Sequence, residues 1–104
     1  MNNNDFNIAS NANMIEILKT EILNSCSDVF STLLLKNDKD DLTSSLSSMV
    51  LFSYILAKRC GIPFSDVDKG IIDKATLGMI DEHKLEKEFK DLSHIKKYIS
   101  ERVD

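Results

Sequence analysis

Apolar residues recur every three or four positions along most of this chain, and no segment alternates convincingly as a strand would. From about Ser10, a stripe of Met14, Ile17, Leu18, Ile22, Val29 and Leu33, widened by Cys26 and Phe30, predicts a first long helix. Asn37-Asp38-Lys39-Asp40-Asp41 interrupts it, and the last Asp suits the N-cap of a helix beginning at Leu42. A polar connection this short folds two helices back antiparallel.

The second helix carries Leu42, Leu46, Met49, Val50, Ala57 and Cys60 on one side, with Phe52, Ile55 and Leu56 on others. Its later half is apolar almost all round, which predicts a place at the centre of a bundle. Gly61 suits the left-handed residue that ends a helix, and Pro63 opposes continuing it. Ser65 with Asp68 resembles a capping box, so a third helix is expected from near Ser65 through Val67, Ile71, Ile72, Ala75 and Met79. Leu85, Phe89, Leu92, Ile95, Ile99 and Val103 keep helical spacing to the end, with Asp91 or Ser93 placed to cap a separate final helix. The fold class expected is all-α, an antiparallel bundle of about four helices, with residues 1–9 a flexible Asn-rich arm and 10–104 a single helical domain.

Composition narrows the functional classes. The 104 residues suffice for one modest core, so much apolar surface is left for a partner. A net charge of -4 argues against general nucleic-acid binding, which relies on many Lys and Arg against phosphates. The longest apolar run, Met49 to Ala57, is too short for a bilayer, and the start carries no signal-peptide pattern, so a cytoplasmic protein is expected. Cys26 and Cys60 lack metal-site spacing and are read as core thiols.

Several stretches together resemble the MazG-like family. They are Glu16 to Leu23, Asp28-Val29-Phe30, the junction Ala57 to Phe64, Glu82-His83 with Glu86, and Asp91-Leu92-Ser93, covering roughly residues 10 to 100. The resemblance implies an all-α nucleoside triphosphate pyrophosphohydrolase fold completed by dimerisation. It also implies Mg²⁺ held by a Glu-x-x-Glu on the first long helix and a Glu-x-x-Asp on the second. Residues i and i+3 share a helix face, so two facing helices present four oxygen ligands to a hard cation.

Aligned on Gly61, those family positions fall on Ser25 and Asp28 in the first helix and on Ser45 and Ser48 in the second. Only Asp28 is a carboxylate. Neutral hydroxyls are weaker Mg²⁺ ligands, so the metal motif reads as degenerate. Glu21 is the other metal candidate, although the seven-position step from it to Asp28 spans about 10 Å of helix. Asp40 and Asp41 read first as helix caps and second as relocated carboxylates.

Lys58, Arg59, Lys69 and Lys74 flank the junction and read first as solvated and second as phosphate contacts, with Lys74 the phosphate-binding candidate. His83 and Glu86, at i and i+3, form a transition-metal pair only if helical, and read first as a charged, solvated face. No nucleophile–base pair emerges, and Gly61, Gly70 and Gly78 are too scattered for a phosphate loop, so no catalytic residue is assigned.

The expected function is that of a MazG-like protein with lost or weakened catalysis, acting by nucleotide or protein binding as a homodimer. The alternatives are an active Mg²⁺-dependent pyrophosphohydrolase with relocated carboxylates and a structural helical oligomer.

Overall fold

A computed structural model describes residues 3–36 and 38–102. Among these the chain is helical with no strand, as the periodicity predicts. Its elements are α1 (Asn3–Ser31), a π-helical turn (Thr32–Lys36), α2 (Lys39–Arg59), α3 (Phe64–Ile80), α4 (Lys84–Phe89) and α5 (Asp91–Arg102). Met1, Asn2, Asn37 and Val103, which belong to the expected arm, loop and final stripe, lie outside the described residues. Helical backbone begins at Asn3, ahead of the expected start near Ser10. Among the described residues no helix is long and apolar enough to cross a membrane.

The chain divides into two compact units, Met1–Ile62 and Pro63–Asp104. In the first, α1 and α2 form an antiparallel hairpin. The Asn11 side-chain amide near the start of α1 donates to the Arg59 carbonyl at the end of α2, at 2.8 Å. The buried stripe running from α1 into the π-helical turn is Leu18, Ser25, Val29 and Thr32, with Ile22 half-buried between them. These positions step by four and three residues, the spacing of a seam between two helices.

The seam differs from the apolar stripe expected. Ser25 and Thr32 lie in it, while Met14, Ile17, Phe30 and Leu33 are exposed. Nor is α2 wrapped on all sides. Within its unit it packs on α1 and the π-helical turn, so Ala57 is buried whereas Leu46, Val50 and Leu51 are exposed. One partner helix covers one stripe, and a helix apolar all round keeps the remainder in solvent. The thiols also depart from the core reading: Cys26 is half-buried and Cys60 exposed.

The helix ends explain the element count. Asp38, not Asp41, caps α2: its carboxylate accepts the Asp40 and Asp41 amides at 2.8 and 3.1 Å, and the helix starts at Lys39. Asp40 and Asp41 thereby fall in the first turn, where negative charge meets the positive end of the helix dipole.

At the far end Gly61 has φ +83°, its amide donates to Lys58 O at 3.0 Å, and the Ile62 amide donates to Ala57 O at 2.8 Å. This is the paired bonding of a Schellman stop. The next helix starts at Phe64, directly after extended Pro63 and without a side-chain cap, so Ser65 is already helical and the expected capping box does not form.

In the second unit α3 packs on α5, and α4 on α5. Asp68 near the start of α3 pairs with Arg102 at the end of α5 at 3.1 Å, while Gly78 near the end of α3 faces Leu92 near the start of α5. The two helices therefore run antiparallel. A Cβ on Gly78 would lie 2.5 Å from Leu92 Cδ1, the movable end of that side chain, so a larger residue there would require Leu92 to shift.

Two left-handed residues, Glu82 (φ 54°) and Lys90 (φ 60°), break the expected tail into separate helices and raise the count from about four to five. The Glu82 amide donates to Met79 O at 3.2 Å and the His83 amide to Gly78 O at 2.8 Å, a second Schellman stop made without glycine.

A Cβ on Gly61 would meet nothing within 4 Å, so a substitution there acts through backbone conformation alone. Gly61→Ala is expected to lower stability by about 1–2 kcal/mol, the cost of a left-handed non-glycine residue. Urea unfolding followed by circular dichroism measures it, and an unchanged midpoint would contradict the assignment of this stop.

Candidate functional site

A cleft of about 320 Å³ opens where the end of α1 and the π-helical turn meet the start of α2. It is lined by Asp28, Ser31, Thr32, Leu35, Asp41, Ser44 and Ser45. The first four recur at i, i+3, i+4 and i+7, and the last three at i, i+3 and i+4, so each set is one helix face.

Of the sequence candidates, the cleft brings together Asp28 and Ser45. Glu21, Ser25 and Ser48 are not among its lining residues. α1 is continuous through Glu21 and Asp28, which keeps those carboxylates about two helical turns apart. Ser25 is buried, and its hydroxyl donates to the Glu21 carbonyl at 2.8 Å. The Ser45 hydroxyl does the same to the Asp41 carbonyl at 3.1 Å. Each proton is thus held by the helix's own backbone, leaving only neutral lone pairs to face a ligand.

Asp41 joins Asp28 on the cleft wall, although the sequence presented it first as a cap. Ser31, Thr32 and Leu35 were overlooked. Stepping from Asp28 along one helix face would have found them, since a ligand pocket uses neighbours at i+3, i+4 and i+7 and not only a family's motif positions. Among the described residues no group of three or more His, Cys, Asp or Glu side chains is arranged to hold a metal ion. Two carboxylates fall short of the oxygen-rich, negatively charged shell that divalent cations bridging phosphates ordinarily require.

The second unit holds the remaining candidates. Lys74 is exposed on α3. His83 and Glu86 are each engaged in helix capping. The His83 ring Nδ1 accepts the Leu85 amide at 3.1 Å as the N-cap of α4. Glu86 is buried and reaches α5, where its carboxylate accepts the Ser93 amide at 2.9 Å and also the Ser93 hydroxyl. The solvated-face reading fails for Glu86 because it caps the neighbouring helix instead of its own.

A family model for the MazG-like family matches residues 8–92, and the chain belongs to that family. No curated protein and no solved structure gives a significant match.

Hydrogen bonds from the Ser93 hydroxyl and then its amide hold the Glu86 carboxyl below its ordinary value of 4.5, against the opposing effect of burial, with Lys90 and His94 adding positive charge. A carboxyl lowered on folding stabilises the native state above its unfolded value, and that contribution is lost as pH falls through the folded value. Thermal stability is therefore expected to drop below about pH 4.5, and Glu86→Gln to flatten that part of the profile while lowering the melting temperature at neutral pH. Melting curves from pH 3 to 7 for both proteins test this, and identical acid limbs would count against the assignment.

Proposed function

We propose that this MazG-like protein has lost, or retains only weakly, the pyrophosphohydrolase chemistry of catalytic relatives and acts by binding, as a homodimer in the cytoplasm. The observation carrying this reading is the cleft wall itself. The cleft holds Asp28 and Ser45 of the four aligned family positions, and among the described residues Asp28 and Asp41 are accompanied there by Ser31, Thr32, Ser44 and Ser45 rather than by further carboxylates. Mg²⁺-assisted attack of water on a triphosphate needs a metal fixed against both the water and the phosphates, and weakening its shell weakens every step that depends on it.

A second reading has one specific observation in its favour. Asp41 sits on the same cleft as Asp28, so a relocated pair could hold Mg²⁺ more loosely and preserve some turnover. Pyrophosphate release from each common nucleoside triphosphate, with and without Mg²⁺, decides between them. No Mg²⁺-dependent release above a protein-free blank is expected. Turnover that disappears in Asp28→Ala would instead establish the active enzyme.

The binding surface in this reading includes the outward face of α2, where Leu46, Val50 and Leu51 are 42%, 54% and 53% exposed beside Thr43 and Ser47. Contiguous apolar side chains of this kind favour association. A structural helical oligomer would use the same face. Sedimentation at micromolar concentration is expected to give a dimer, and Val50→Glu to shift it toward monomer. A monomeric wild-type protein would remove the homodimer from the proposal. The nucleotide part is tested separately, by titrating a non-hydrolysable triphosphate against Lys74→Ala and Glu21→Gln; affinity unaffected by both would exclude those residues from a nucleotide site.

A further inference from the structure

α4 is six residues long, too short to hold helical backbone by its own hydrogen bonds, so the contacts at its ends decide whether it forms. At its start the exposed His83 ring presents Nδ1 to the Leu85 amide at 3.1 Å. A backbone N–H can only donate, so Nδ1 is unprotonated and the neutral ring carries its hydrogen on Nε2. Asn, Ser or Thr at an N-cap would keep an acceptor at every ordinary pH. Histidine loses its acceptor on protonation, between about pH 5 and 8, because the imidazolium donates from both nitrogens.

The side chain that α4 carries makes this loss consequential. Glu86, in its first turn, is buried and accepts the Ser93 amide at 2.9 Å together with the Ser93 hydroxyl, which ties α4 to the first turn of α5. At the far end the left-handed Lys90 closes the helix, its amide donating to Glu86 O at 3.0 Å.

Protonating His83 removes the cap and sets a positive charge at the positive end of the helix dipole, so both effects oppose α4. The charged groups around the ring come from three elements. Asp81 and Glu82 end α3, Lys84, Glu86 and Lys87 lie on α4, and Asp91 and His94 lie at the start of α5. The carboxylates favour the cation and the lysines oppose it, but all except Glu86 are exposed and screened by solvent. The cap hydrogen bond, by contrast, is lost outright.

We propose that His83 is a proton-operated latch: its neutral ring holds α4 folded, and protonation releases α4 together with the Glu86 tie to α5. The latch lies within the second unit and is independent of whether the cleft of the first retains catalysis. Its contribution is present while the ring is neutral and is lost as pH falls through the histidine range. The Glu86 carboxyl, held below its ordinary value of 4.5, stays ionised across that range, so the two acid responses separate.

Amide hydrogen exchange of the full chain at pH 7.5 and 5.5, corrected for the intrinsic effect of pH on exchange, tests the latch. Protection of the Lys90 amide is expected to fall roughly tenfold at the lower pH, the combined effect of a lost cap and an unfavourable charge at the helix start. His83→Asn keeps an acceptor at both pH values and should abolish the fall, whereas His94→Gln should retain it. Nitrogen chemical shifts of the His83 ring at pH 7.5 should show the hydrogen on Nε2. Equal wild-type protection at the two pH values, the same fall in His83→Asn, or a hydrogen on Nδ1 at pH 7.5 overturns the proposal.

Discussion

The packing of α1 on α2 through a seam that mixes apolar and hydroxyl side chains governs the first unit. Leu18 and Val29 provide the buried apolar surface, and Ser25 and Thr32 take the intervening positions. A hydroxyl is small enough to let two helices approach, but a buried polar group must be satisfied or the helix pair is weakened. Ser25 meets that condition by bonding the Glu21 carbonyl of its own helix. Thr32, at the start of the π-helical turn, lines the cleft, and among the described residues no buried side-chain oxygen or nitrogen lacks a partner.

The same constraint distinguishes hydroxyls from carboxylates at a helix–helix seam. Where a hydroxyl supports its own backbone, it favours close packing; where a carboxylate stands at such a place, it must be hydrated, paired or bound to a cation. Ser25 in the seam makes no such demand, because its hydroxyl is satisfied by its own helix.

The second unit achieves order by a different route. Gly78 meets the Leu92 side chain where α5 crosses α3, Asp68 and Arg102 tie their opposite ends, and Glu86 reaches from α4 to the first amides of α5. Arg102 also lies 5.4 Å from the Tyr98 ring centre, so its guanidinium is held by an ion pair on one side and an aromatic face on another. A short helix such as α4 has little intrinsic stability, and capping at both its ends offsets that deficit.

Helical content, the hairpin return after the polar loop, the stop at Gly61 and the family resemblance were all legible in the residues, because period, cap and breaker signals are local. The choice of buried stripe was not. Met14, Ile17 and Phe30 satisfy a helical period as well as Leu18 and Val29 do, and only the position of the partner helix decides which stripe loses its water. For the same reason the cleft at Asp28 needed tertiary structure, since it joins faces from two helices. Glu86 was equally opaque: its capping partner Ser93 belongs to another helix, across a left-handed turn at Lys90 that no glycine announced. Sequence spacing fixes which side chains share a helix face; the tertiary arrangement alone determines what that face meets.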